Sequence, residues 1–233
     1  QGSNKPVTRT LTISASDEYG LPTALDDEVI LGLIQLTNQA DFQDRKVHFT
    51  RYELLKLLGW SDDTKSYARI SESLKRWLGV TLYYDKAWWS KEEQCWVSEN
   101  FHILDQVTIF DKERRERRVK TKKGDPDAGR SSFVWNEVVY DSFQAGYLKQ
   151  IDMDFFKSLD SAISKRIYRF LDKRFYKRES LVFDLREFAL EHIGLNRNYQ
   201  NSEIKRRLAP AIKELEEKGL LEKLQPKQRF EKK

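Results

Sequence analysis

The stretch Thr50–Gly79, TRYELLKLLGWSDDTKSYARISESLKRWLG, decides the fold. It reads as two helices joined by a short polar turn. Thr50 stands where an N-cap would, RYELLKLL follows, and Gly59 ends the run. After Ser61-Asp62-Asp63 the spacing predicts a second helix over Thr64–Leu78, closed by Gly79. On that helix Tyr67, Ile70, Leu74, Trp77 and Leu78 share one sector at about 100° per residue. Lys65, Arg69, Glu72 and Arg76 fall opposite. One apolar face and one basic face after a tight turn suit a helix that enters the DNA major groove.

Working outward, Asp26–Ala40 has helical periodicity with acidic residues in its first turn, where the helix dipole favours them. Val47-His48-Phe49 is short and strand-like. Val80–Trp89 reads as a strand that pairs with the apolar run Cys95–Phe110 through a turn at Lys91–Gln94. The order is helix, strand, helix, turn, helix, β-hairpin.

The same order then recurs. Asp160–Tyr176 carries Ile163, Ile167, Phe170, Leu171 and Phe175 on one side, and Leu181-Val182-Phe183 is the short strand. Asp184 caps a helix to Ile193, and Gly194 stops it as Gly59 does. A polar turn, Asn196–Asn201, leads to a helix over Ser202–Glu217, followed by Gly219 and Leu220-Leu221. Its apolar stripe is Ile204, Leu208, Ala211, Ile212 and Leu215. Ser202, Arg206 and Lys213 lie opposite, with Lys205 and Arg207 on the flanks. Pro210 falls on the polar side, so this helix either bends near Arg206–Ala209 or breaks and restarts at Pro210. The preceding turn, NRNYQN, offers the Asn, Gln and Arg chemistry that reads adenine and guanine edges, or is an ordinary polar turn.

The expected fold class is therefore α+β: two tandem winged-helix modules, the first with a long β-hairpin wing. Residues 1–25 form an N-terminal segment, of which 1–4 read as an expression remnant. The first module spans 26–155 and the second, DNA-binding module 156–233. Lys112–Ser132 is expected to be a mobile basic loop where a wing would be, and Phe133–Tyr140 resumes strand character. The candidate DNA-binding residues are Lys65, Arg69, Arg76, Arg197, Asn198, Ser202, Lys205, Arg206 and Lys213.

Charge is distributed unevenly. The 233 residues carry 42 Lys+Arg against 37 Asp+Glu. Residues 1–110 hold 12 and 16 of these, a net of −4; residues 111–233 hold 30 and 21, a net of +9. Lys112–Lys123 alone has eight basic and two acidic residues. Blocks of one sign are the footprint of a polyanion binder, although a solvated surface also carries them.

Several function classes are excluded. No G-x-x-x-x-G-K-[ST] loop exists to cradle a triphosphate, and no G-x-S-x-G is present. His48, His102 and His192 lack the short spacing of a metal site, so no metal and no cofactor is expected. The single Cys95 reads as structural and cannot form an internal disulfide. With no run of about 18 apolar residues and no charged-then-apolar leader, the expectation is a cytoplasmic protein without membrane contact.

Ser66-Tyr67-Ala68-Arg69-Ile70 followed by Ser73-Leu74-Lys75-Arg76-Trp77-Leu78-Gly79 resembles the plasmid-type replication initiator protein A family. Phe170-Leu171-Asp172-Lys173-Arg174-Phe175, Ile204-Lys205-Arg206-Arg207-Leu208 and Pro210-Ala211-Ile212 are similar to the family's second half. The resemblance spans about Asp26 to Leu221. It implies a non-enzymatic initiator that binds repeated origin sequences in double-stranded DNA and recruits host replication proteins. It also implies that the second module makes the main base contacts, while the first mediates homodimerisation or adds backbone contacts. The Lys112–Ser132 insertion has no counterpart in that pattern. Three other readings stand beside it: a winged-helix transcriptional regulator, a winged-helix protein-interaction scaffold, and a metal-dependent nicking enzyme, which the histidine spacing disfavours.

Overall fold

The computed structural model describes residues 8–90, 92–110, 112–122, 124–146, 151–175 and 178–231. The chain divides into two compact units, Gln1–Leu148 and Lys149–Lys233, a boundary ahead of the expected 155/156. Gln1–Asn4, Lys91 in the expected hairpin turn and Tyr176 at the end of an expected helix lie outside the described residues.

The first unit runs β1 (Thr10–Ser14), α1 (Ala24–Gln39), β2 (Lys46–Phe49), α2 (Arg51–Leu58), α3 (Thr64–Leu78), β3 (Thr81–Ser90), β4 (Cys95–His102), β5 (Leu104–Thr108), α4 (Lys112–Thr121), β6 (Ser131–Trp135) and α5 (Glu137–Gln144). Its strands form two antiparallel three-stranded sheets, ordered β1-β3-β4 and β2-β6-β5. The helix pair read from Thr50–Gly79 is present within its expected limits. Thr50 caps α2 reciprocally with Glu53: the Glu53 backbone N–H donates to Thr50 Oγ1 at 3.1 Å, and the Thr50 N–H to Glu53 Oε2 at 2.7 Å. Gly59 sits at φ +68°, and the Trp60 N–H reaches back to the Leu55 carbonyl, satisfying a carbonyl of the last turn. α1, α2 and α3 pack around Leu33, Leu54, Leu55, Ile70 and Leu74, against Phe49, Phe133 and Trp135 of the second sheet. Each such aliphatic burial stabilises by roughly 1.5–3 kcal/mol.

Three sequence expectations need correction here. The run Cys95–Phe110 is not one strand. Its first part pairs with β3, and at Ile103 the chain crosses to the other sheet, where buried Leu104 lies opposite Trp135. The long β3-β4 hairpin therefore joins β1, and the strand pair flanking the wing position is β5-β6. Lys112–Thr121, expected to be a mobile loop, is the helix α4. Phe133–Tyr140 is not all strand: Asn136 accepts the Val138 N–H at 3.1 Å and starts α5.

The second unit comprises α6 (Met153–Ser158), α7 (Ala162–Arg174), α8 (Leu185–Glu187) continuing into a π-helical turn at Phe188–His192, α9 (Asn201–Glu217) and α10 (Pro226–Arg229). Asp184 caps α8 by accepting the N–H groups of Arg186 and Glu187, as expected. The expected strand Leu181–Phe183 is absent, and no described residue of this unit is in a strand. Without a ladder partner, the segment packs by side chain instead: the Phe183 ring lies 5.3 Å from both Phe170 and Phe188. α9 is continuous through Pro210, which faces solvent, so the helix is not broken. Ile204, Leu208, Ala211 and Leu215 are its buried stripe.

Candidate nucleic-acid interface

In the first unit α3 is set by its buried face, with Ile70 and Leu74 fully enclosed and Tyr67 and Trp77 packed beside them. That orientation leaves Lys65, Arg69, Glu72 and Lys75 exposed. The Arg69 guanidinium lies 5.8 Å from the Trp60 ring centre and Lys75 Nζ 5.1 Å from that of Tyr19. The helix begins under acidic residues. Asp63 accepts the Ser66 N–H at 2.8 Å, and that backbone bond holds its carboxyl below the usual range. Asp62 accepts the Tyr67 hydroxyl at 2.9 Å, and burial pushes the Tyr67 phenol up. Two carboxylates at the mouth of α3 oppose a phosphate there.

Arg76, expected on the basic face, is turned inward. Its Nη1 contacts Asp26 Oδ1 at 3.2 Å and its Nε donates to the Tyr19 carbonyl at 3.0 Å. Asp26 is 1% exposed and also accepts the Thr23 N–H and hydroxyl. A buried carboxylate needs a counter-charge, and Arg76 supplies it. Its guanidinium is thus engaged in an ion pair inside the first unit.

The second unit arranges its cations differently. Ser202, Arg206 and Lys213 are exposed along α9, and Lys205 is half-buried with Nζ 5.2 Å from the Phe230 ring centre. No side chain caps the first turn of α9 at Gln200. Lys213 pairs with Glu217 at 3.6 Å, an exposed contact of little energetic weight. In the turn before α9, Arg197 pairs with Glu191 at 3.1 Å, and the Asn198 N–H donates to Asn196 Oδ1 at 2.9 Å. The structure thus gathers Arg197, Asn198, Ser202, Lys205, Arg206 and Lys213 on one turn and helix. Lys65 and Arg69 stand on the other unit.

Two residues that the sequence did not single out organise this turn. The Arg186 guanidinium donates to the carbonyls of Tyr199 at 3.1 Å and Arg197 at 3.3 Å, and to Asn201 Oδ1 at 3.2 Å. Its acceptors are mostly backbone groups 11–15 residues away, which leave no sequence signal. Glu203 takes Arg206 Nη2 at 2.7 Å on one oxygen and Arg207 Nε at 2.8 Å on the other. Its i,i+3 and i,i+4 spacing was legible. The bond to Arg206 holds the Glu203 carboxyl below its ordinary range and raises Arg206. Beneath the helix, Glu214 accepts the Asp160 N–H and the Ser164 hydroxyl, both at 2.5 Å, tying α9 to the start of α7.

Two crystal structures of domains 2 and 3 of RctB share this fold. One, a selenomethionine derivative, matches at TM-score 0.63 and 15% identity over 92% of this chain and 79% of that one. The other matches at TM-score 0.56 and 17% identity over 91% and 79%. No curated protein sequence matches the chain. A family model described as replication initiator protein A covers residues 4–215, nearly all of the first unit and the second through most of α9. The chain belongs to the replication initiator protein A family.

Proposed function

We propose that the chain is a sequence-specific, double-stranded DNA-binding replication initiator that recognises repeated origin sites in the cytoplasm and recruits host replication proteins there, without a catalytic step. The carrying observation is α9. In a member of an initiator family, it presents Ser202, Arg206 and Lys213 from a unit whose net charge is +7. Residues 149–233 hold 21 Lys+Arg against 14 Asp+Glu, whereas residues 1–148 hold 21 against 23, a net of −2.

The proposal includes two winged-helix modules. In the first unit α1-β2-α2-α3-β5-β6 with the sheet order β2-β6-β5 supports it, with α4 inserted at the wing tip. In the second, α7, α8 with its π-turn, and α9 supply the helical part alone. Family members are typically non-catalytic, and among the described residues no group of three or more His, Cys, Asp or Glu is placed to hold a metal. No described helix is long and apolar enough to cross a membrane.

Footprinting of the full chain on DNA flanking its own gene tests this reading. Directly repeated protected sites are expected. A single palindrome would favour the transcriptional regulator, and no protection would favour the protein-interaction scaffold.

The homodimer is proposed through the first unit. Of the aromatic residues on the β3-β4 hairpin, Tyr83, Tyr84 and Trp96 stay outside the main core cluster, and the side chains of Trp88 and Trp89 lie outside the described residues. In the same sheet Leu11 and Ile13 on β1 are 51% and 50% exposed. Replacing both by Lys should shift the sedimenting species from dimer to monomer without unfolding. An unchanged sedimentation coefficient in the doubly substituted chain would count against this face.

A further inference from the structure

The contacts around α9 form a connected chain. Arg186 fixes the Tyr199 carbonyl at 3.1 Å. The Arg207 guanidinium lies 4.4 Å from the centre of the Tyr199 ring, and its Nε donates to Glu203 Oε1. Glu203 Oε2 then receives two bonds from Arg206, from Nε at 3.1 Å and from Nη2 at 2.7 Å. The Glu203 side chain is 25% exposed and that of Arg206 75%, so the carboxylate lies low on the helix surface with the guanidinium above it.

We propose that Glu203 is a specificity-determining residue that holds Arg206 in the orientation needed to read a guanine and withholds it from phosphate. This rests on the DNA-binding reading above. The atoms carry the argument. Arg206 spends its Nε and one Nη2 hydrogen on Glu203, so its remaining donors sit at the Nη1–Nη2 end. Two parallel N–H groups at that end match guanine N7 and O6, which lie side by side in the major groove. An unheld arginine side chain samples many rotamers and pairs readily with backbone phosphates, which carry no sequence information. Glu203 reduces that competition twice. It fixes the rotamer through two bonds, and its negative charge repels the phosphates that Arg206 would otherwise seek. The lowered Glu203 and raised Arg206 ionisations accord with a pair that stays charged throughout the neutral range. Arg186, Tyr199 and Arg207 act through Glu203 as positioning residues, fixing the carboxylate from the other side.

A plain helix-stabilising role for Glu203, in the first turn of α9, would change folding and leave discrimination alone. The test therefore reads discrimination. Full-length wild type and Glu203→Gln are each taken through selection on a randomised duplex library, and the enriched motifs and the affinity for the unselected pool are compared. Gln keeps the size and removes the charge. Glu203→Ala serves as a second variant, since a Gln amide oxygen can still accept one arginine bond.

Wild type should enrich a motif containing a guanine that both variants lose, with the rest of the motif kept. The preference for that base pair should fall about tenfold, within the span of one bidentate contact. Binding to the unselected pool should tighten, with a salt slope steeper by up to about 0.9 for the phosphate that Arg206 gains. Motifs and pool affinities unchanged in both variants, with thermal stability lowered, would overturn the proposal. A wild-type chain that enriches no motif would refute the DNA-reading proposal itself, and this one with it.

Discussion

Arg76 separates what a helical wheel shows from what a side chain does. Its position at about 100° per residue puts it opposite the apolar stripe of α3, yet it reaches sideways to a carboxylate from α1 that is 1% exposed. Arg76→Ala would leave Asp26 buried without its counter-charge. Loss of a fully buried partner costs about 3–5 kcal/mol, and because Arg76 is itself 24% exposed the expected loss is about 2–3 kcal/mol. Urea denaturation measures it. DNA affinity of the folded variant should be unchanged, and a normal midpoint with weakened DNA binding would return Arg76 to the interface. Lys65, Arg69, Arg206 and Lys213 were legible because periodicity alone decides which side of a helix meets water. Arg76 and Arg186 were not legible, since their roles depend on partners brought close by folding, whereas the Glu203 pairs are local to α9 and follow from i,i+3 and i,i+4 spacing.

Among the elements, caps and stops were readable and strand partners were not. Thr50, Asp184 and Gly59 act locally, within a turn of the residues they serve. The split at Ile103 and the missing strand at Leu181–Phe183 depend on which distant segment offers a ladder. α4 changes how its basic run is best probed. Arg130, just before β6, donates to Glu53 at 2.9 Å and to the His48 carbonyl at 3.1 Å, so deleting Lys112–Arg130 would also remove support for the cap of α2. Substituting Gln for the lysines and arginines of α4 avoids that.

The cap of α3 carries a pH signature. Asp63 has its folded-state pKa lowered below the ordinary 3.8 by the Ser66 N–H, with burial opposing. Its stabilisation is therefore complete above that ordinary value and is lost as pH falls through the lowered one. Thermal midpoints of wild type and Asp63→Ala should differ by a constant amount from pH 7 to about 5 and converge below about 4. A gap that persisted undiminished at pH 2.5 would mean that the Asp63 charge contributes nothing.

For the whole molecule, the proposed division of labour rests on charge and chemistry. The unit at −2 opens its candidate helix with Asp62 and Asp63, whereas the unit at +7 opens α9 with no side-chain cap and with its one first-turn carboxylate, Glu203, paired to Arg206 and Arg207. The asymmetry was readable in the sequence because charge counts need no coordinates, whereas the helical character of the second unit was not. The central claim is that α9 reads duplex DNA at repeated sites. Hydroxyl-radical footprinting of wild type and Arg206→Ala on DNA flanking the gene, at one salt concentration, tests it most directly. The account predicts direct repeats protected by wild type, with the variant losing at least tenfold in occupancy at the repeats while its affinity for unrelated duplex stays within about threefold. Repeats protected equally by both proteins would contradict it.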